Sequence, residues 1–191
     1  MPNMIPVDIR EDQPFSRSTT FVLDANVILY TFYGDAIQTT GYQRKYYPEF
    51  VQQCADNNNA LVVTAATLSE VFHVIEKNEC RLYNNNHNHE MQLKEFRAIS
   101  EERKKVAEKT DLIYRQIREI KTLKIIESTI SEVLINSYIG DFNEIKCDFF
   151  DYHLIKIAKD NGYCIVTDDF DFSSVAFYGF LLSANSKFFK N

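Results

Sequence analysis

Three short apolar runs constrain this chain more than any other feature: residues 20–23 (Thr-Phe-Val-Leu), 61–64 (Leu-Val-Val-Thr) and 163–167 (Tyr-Cys-Ile-Val-Thr). Each is long enough for one buried strand, and each adjoins a stretch with helical spacing of its apolar residues. The first ends at Asp24 and feeds a helix through Ala25–Phe32. The second feeds a helix from about Ala66 that carries Glu70, His73, Lys77 and Arg81 near one face. The third is preceded by a helix across about 148–160, with Gly162 just past its end, where a left-handed cap is expected. Residues 180–182 offer one more strand. Short apolar strands alternating with helices predict an α/β fold with a mainly parallel central sheet flanked by helices. Ligands of such sheets bind beyond the carboxyl ends of the strands. Asp24, Asp168 and Asp169 stand at that edge.

The character of the chain changes between about 78 and 122. Residues 84–89 (Asn-Asn-Asn-His-Asn-His) form a polar, turn-prone tract, and Glu90–Lys121 contains no Gly or Pro and reads as one long helix. Ile99, Val106, Ile113 and Ile120 recur every seven residues, but Arg103 and Thr110 interrupt the second row that a long coiled coil would keep. The expectation is a long helical arm that packs along its own neighbour or along a second subunit as a homodimer. Residues 77–124 hold 12 Lys and Arg against 8 Asp and Glu, although the whole chain carries a net charge of −6. Basic charge is therefore gathered on the arm, where Arg97, Arg103, Lys104, Lys105, Arg115 and Arg118 suggest a surface for a polyanion.

No Gly/Ser-rich or Pro-rich linker divides the 191 residues, which predicts a tail over 1–19 and a single domain over 20–191 with a helical insertion at about 78–122. The longest uncharged run, 172–186, falls short of the roughly 20 apolar residues of a membrane helix, and the first 15 residues lack a secretory pattern. These features predict a cytoplasmic protein with no membrane partner. The four cysteines make no CxxC pair and have no histidines at zinc-finger spacing, so they are expected as reduced core thiols.

Four acids stand at the ends or starts of elements: Asp24, Glu70, Asp151 and Asp169. Side-by-side strands would make them converge, and carboxylates so close either raise one another's pKa or demand a cation. An oxygen-only set suits Mg²⁺ or Mn²⁺ rather than zinc. Such an ion orients a phosphodiester and lowers the pKa of an attacking water, which points to phosphodiester hydrolysis. Each acid also has an ordinary structural role to weigh. Asp24 fits a helix cap. Glu70 fits a solvated helix face, and only its place after a second buried strand sets it apart. Asp148 lies on the same helical face as Asp151, so it is either an N-cap or a competitor for the third position. Asp168 fits a turn residue. His73, His87 and His89 fit surface or loop polar groups, and Lys77 and Arg81 a solvated face or a phosphate contact beside the acids.

Three blocks carry a family resemblance: residues 22–29 (Val-Leu-Asp-Ala-Asn-Val-Ile-Leu), 64–72 (Thr-Ala-Ala-Thr-Leu-Ser-Glu-Val-Phe), and 151–172, which ends Thr-Asp-Asp-Phe-Asp-Phe. Together they resemble the PIN-domain ribonucleases, the family that includes VapC-type toxins, over roughly 20–76 and 122–185. The resemblance implies a three-layer PIN-like fold, with Asp24, Glu70, Asp151 and Asp169 as the metal-binding acids. Asn26 would hold the first carboxylate or a water on the metal, Thr167 would bond within the last loop, and Asp171 would join a second metal. The implied reaction is hydrolysis of RNA by water in line, leaving 5′-phosphate and 3′-hydroxyl ends. For the toxin members it also implies a partner antitoxin. The tail and the arm depart from the compact family pattern. The competing readings are a catalytically inactive scaffold that binds RNA or protein, and a phosphotransfer domain. The latter would want an Asp at position 26, where this chain has Asn.

Overall fold

The computed structural model describes residues 5–11, 15–34, 37–175 and 179–190. Within them the elements run β1 (Ile5–Asp8), β2 (Thr20–Leu23), α1 (Ala25–Phe32), α2 (Gly41–Asp56), β3 (Ala60–Thr64), α3 (Ala65–His87), α4 (Leu93–Phe96), α5 (Ser100–Glu119), β4 (Leu123–Ile126), α6 (Glu132–Asp141), α7 (Phe149–Asn161), β5 (Cys164–Val166) and β6 (Phe180–Ser183). Short 3-10 turns follow β5 at Phe170–Ser174 and β6 at Ser186–Phe189. The six strands form one sheet in the order β1-β6-β5-β2-β3-β4, and every neighbouring pair is parallel. The expected α/β architecture is the observed one.

Alternation along the strands divides the core into two layers. Phe21, Leu23, Leu61, Val63, Val166 and Leu182 face a cluster built with Ile28, Tyr47, Phe50, Ile75 and Ile117 from α1, α2, α3 and α5. Val22, Val62, Ile165 and Leu181 face the other way, onto Leu134, Leu154, Ile155 and Ala158 of α6 and α7. A parallel sheet needs both faces covered, and here both are. The four cysteines are free and buried.

The stretch read as a tail supplies β1, which pairs with β6 at the sheet's edge; residues 1–4 and 12–14 of that stretch lie outside the described residues. The other edge strand, β4, was not foreseen. It pairs with β3, so α3 and α5 form the crossover between two adjacent strands. The single long helix expected from Glu90 is instead broken into α4 and α5. Phe96, 1% exposed, drops into a small cluster with Cys80 and Val106, and that burial turns the chain between the two helices. Ile113 and Ile117 then pack into the main core, so the arm lies along its own α3.

Buried charge pins α3 to the arm. Arg97 donates from Nε to Glu76 at 2.9 Å, Arg103 donates to the same carboxylate, and Lys109 reaches Glu79 at 2.6 Å. The Arg97 guanidinium holds the Glu76 carboxyl below its ordinary range. Stabilisation of this kind is present at neutral pH and is lost as the pH falls through that lowered pKa. Glu76→Gln is expected to lower Tm by about 3–5 °C at pH 7, a modest effect because both arginines are half exposed. Thermal unfolding at pH 7 with an unchanged Tm would contradict it.

Candidate active site

The strand order places the acids. From β2 the chain moves through β3 to β4 on one side, whereas β5 lies on the other side of β2 with β6 beyond it. The order therefore reverses between β2 and β5, and a crevice opens beyond the carboxyl ends of strands at such a switch point. Asp24 follows β2 directly and Asp168 and Asp169 follow β5, so both sides of the crevice present carboxylates. The backbone N–H of Asp24 donates to Val166 O at 3.1 Å, tying the two strand ends together.

Asp24 caps α1 and is almost wholly buried, which satisfies its structural reading without removing it from the site. Its Oδ1 accepts from the Ala25 N–H at 2.6 Å, and its Oδ2 accepts from Thr167 Oγ1 and from Asn26 Nδ2, each at 2.6 Å. Burial, joined by the charges of Glu70 and Asp169, nevertheless pushes its pKa up to about 7, against the pull of Thr167 and Ala25. Asp151 is pushed up to about 8, first by burial and then by Asp24, Asp148 and Asp169, with the backbone hydrogen bond from Asp148 pulling the other way. Glu70, in the second turn of α3, is raised by burial and by Asp148 and Asp169. Asp24, Glu70 and Asp151, from three separated segments, are therefore each raised in part by carboxylates of other segments.

At the start of α7 Asp148 and Asp151 share one helix cap. Asp148 is the N-cap, accepting from the N–H groups of Phe150 at 2.8 Å and Asp151 at 3.0 Å, and the Asp151 carboxylate accepts in return from the Asp148 N–H at 3.3 Å. This reciprocal box fixes the first turn of the helix, and with it the base of the Asp151 side chain. Asp169 caps the 3-10 turn that follows, accepting from the Asp171 N–H at 2.9 Å, and its own N–H donates to Thr167 Oγ1 at 3.0 Å. Asp171 itself is exposed beyond it.

Lys77 and Arg81 lie on Glu70's face of α3, about 10 Å and 16 Å further along by helical rise, so they stand along the helix from Glu70 rather than beside it. Arg81 donates to Asn78 at 2.8 Å. The arm's cations are largely matched by the chain's own acids, with Lys105 on Glu102 and Arg115 on Asp111 in addition to the pair on Glu76. His87 and His89 stack with Tyr83 far from the acids.

Asp168 is more than a turn residue. It is 8% exposed, and its carboxylate accepts from Tyr47 Oη at 2.7 Å, Gln43 Nε2 at 2.6 Å and Tyr42 Oη at 3.1 Å. Its N–H donates to Asn26 Oδ1 at 3.2 Å. The hub joins α2 to the end of β5. The only trace of it in the sequence is the clustering of Tyr42, Gln43 and Tyr47 on α2.

Among the described residues no three His, Cys, Asp or Glu side chains meet as ready-made cation ligands. The donor set still suits one chemistry. Asp24, Glu70, Asp151 and Asp169 offer hard oxygens whose mutual repulsion a hard divalent cation would relieve, and none of them is paired with Lys or Arg.

The PIN domain model matches residues 21–178 of the chain. No curated protein matches it. Among solved structures the chain is similar to VapBC2 from Rickettsia felis, crystallised bound to a DNA fragment from their promoter, with a TM-score of 0.50, 14% identity, and coverage of 86% of this chain and 98% of that one. PAE2754 from Pyrobaculum aerophilum matches with a TM-score of 0.45 and 16% identity over 87% of this chain and 90% of its own. The likeness to VapBC2, at that identity, speaks to the fold alone.

A carboxyl whose pKa is raised by folding costs stability once it ionises, so the metal-free protein should lose stability as the pH rises from about 4 towards about 8. Asp151→Asn removes that cost and can keep the acceptor to the Asp148 N–H. It is expected to raise Tm by about 4–8 °C at pH 9 and to leave it unchanged at pH 4. A Tm difference that does not depend on pH would show that Asp151 ionises freely.

Proposed function

The chain belongs to the PIN-domain family, whose members are generally nucleases, and on that premise we propose that it is a metal-dependent endoribonuclease. It would cut RNA phosphodiester bonds at the carboxyl edge of β2 and β5. One observation carries the reading: near the switch point of a parallel sheet, Asp24, Glu70 and Asp151, from separate segments, each have a pKa raised by burial and by neighbouring carboxylates, Asp169 among them.

These four residues would hold Mg²⁺ or Mn²⁺, with Asp171 available towards a second ion. When bound, such an ion neutralises charge on the phosphate and eases the ionisation of a water. The chain's own groups do the positioning. Thr167 and Asn26 donate to the Asp24 carboxylate and fix its direction, while the Ala25 N–H holds the other oxygen. Asp148 caps α7 and so sets the Asp151 side chain. Lys77 and Arg81 would draw the RNA backbone along α3 towards the acids. Because Asp24 and Asp151 must give up protons to take a cation, metal affinity should weaken as the pH falls below about 8 and further below about 7.

The resemblance to VapC-type toxins and the likeness in fold to VapBC2 support the more specific reading of a toxin held in check by an antitoxin. Expression of the wild type but not of Asp24→Asn would then arrest growth, and co-expression of the product of a neighbouring gene would relieve it.

Purified protein with labelled single-stranded RNA and Mg²⁺ or Mn²⁺ is expected to yield 5′-phosphate and 3′-hydroxyl ends. Asp24→Asn and Asp169→Asn are expected to slow cutting about 1,000-fold, the scale of losing several kcal/mol of charge stabilisation. Thr167→Ala, which leaves the carboxylates in place, is expected to cost about 10-fold. RNA that is bound but never cut, with no response to these substitutions, would replace the enzyme with an RNA-binding scaffold.

A further inference from the structure

We propose that the nucleotide next to the cut phosphodiester lodges in a second pocket beside the acids, with its base against Phe170 and its outer phosphate on Lys187. The inference rests on the ribonuclease reading above and assigns a substrate subsite to residues that reading does not use.

A cavity of about 650 Å³ opens at the same edge of the sheet, bounded by Asn26, Tyr42, Asp169, Phe170, Asn185 and Lys187 among others. Its size lies within the range of about 300–1,000 Å³ typical of small-molecule sites. Asn26 and Asp169 belong to both the cavity and the acid site. A strand whose phosphate meets the acids therefore has its neighbouring nucleotide within reach of the cavity.

The inner wall is already committed. The hydroxyls of Tyr42 and Tyr47 and the amide of Gln43 donate to the Asp168 carboxylate. The Asn185 amide donates to Asp168 O at 2.7 Å, and Asn185 Oδ1 accepts the Lys187 N–H at 3.0 Å. These bonds make the wall stiff and leave it few groups with which to read a base edge. What it offers an incoming nucleotide is an aromatic face and a cation. Phe170, the residue after Asp169, is 39% exposed although large and apolar, and its ring is steadied by Phe188 at 5.1 Å. Lys187 is exposed and makes no ion pair among the described residues.

An aromatic face beside a lysine is the pairing that single-stranded nucleic acid uses for stacking and phosphate contact, with little preference for base identity. Asp169 and Asp171 also line the cavity and repel a phosphate, which leaves Lys187, among the described residues, as its one cationic lining residue for the outer phosphate.

The test uses the full chain with a short single-stranded RNA of mixed sequence, its cut site first mapped with the wild type. Binding is followed by fluorescence anisotropy in the cleavage-deficient Asp24→Asn background with Mg²⁺. Phe170→Ala and Lys187→Ala are each expected to raise Kd about 10-fold. One abasic nucleotide beside the cut site should weaken the parent equally and add nothing further to Phe170→Ala, whereas exchanging that base for another should change Kd less than about threefold. In the enzyme with Asp24 intact, both substitutions should raise KM more than they lower kcat. The inference is overturned if RNA is cut and bound while both substitutions leave Kd unchanged, or if the abasic penalty persists in full in Phe170→Ala. Wild type that neither binds nor cuts RNA would instead overturn the ribonuclease reading, and the subsite with it.

Discussion

The all-parallel sheet, whose strand order reverses between β2 and β5, is the constraint on which the rest of this structure depends. The parallel arrangement brings the ends of β2 and β5 side by side, with Asp24 following the first and Asp168 and Asp169 the second, at the reversal of strand order where ligands of such sheets bind. Asp24 shows how closely fold and site are joined. It closes β2, caps α1 and supplies the most deeply buried of the four carboxylates. The donors that hold it come from α1 and from the end of β5, so the same three bonds secure the sheet edge and aim the acid.

Two neighbouring residues show what decides whether a carboxylate is structural or chemical. Asp168 is buried, yet tyrosine hydroxyls, a glutamine amide and backbone geometry surround it with donors. Asp169 turns outward to the crevice, where it adds its charge to those of Asp24, Glu70 and Asp151. Only the second arrangement leaves negative charge uncompensated by the protein. At Asp24, Glu70 and Asp151, where folding raises the carboxyl's pKa, ionisation costs stability, a cost common at functional sites. The net charge of −6 acquires a local meaning here: setting these four acids aside leaves 21 bases against 23 acids.

Buried, locally consistent segments were legible in the sequence. The strands at 20–23 and 61–64, the helix before Gly162 and the left-handed cap at that glycine are all as the residues suggest, because apolar alternation and cap chemistry act over a few residues. Both edge strands escaped notice. β1 contains Pro6, and β4 is four residues interrupted by the exposed Lys124, features that suit a sheet edge but erase the periodic signal. The break between α4 and α5 depends on Phe96 finding Cys80 and Val106, a contact between distant residues that no helix propensity encodes. The role of Asp168 was hidden for the same reason, since its partners lie some 120 residues away. The places of Asp24 and Asp169 after β2 and β5 follow from the strands that precede them. The raised pKa of Asp24, Glu70 and Asp151, and the distance of Lys77 and Arg81 along α3, depend on how the elements pack.

The central claim is that these carboxylates repel one another strongly enough to require a cation. Carboxyl-carbon NMR titration of the metal-free protein measures this directly. Two side chains, Asp24 and Asp151, should titrate near pH 7 and pH 8 and fall into the ordinary carboxylate range when Mg²⁺ is added. If every carboxyl titrated below about pH 5 without metal and none responded to Mg²⁺, the acids would not form a coupled set and the account would fail.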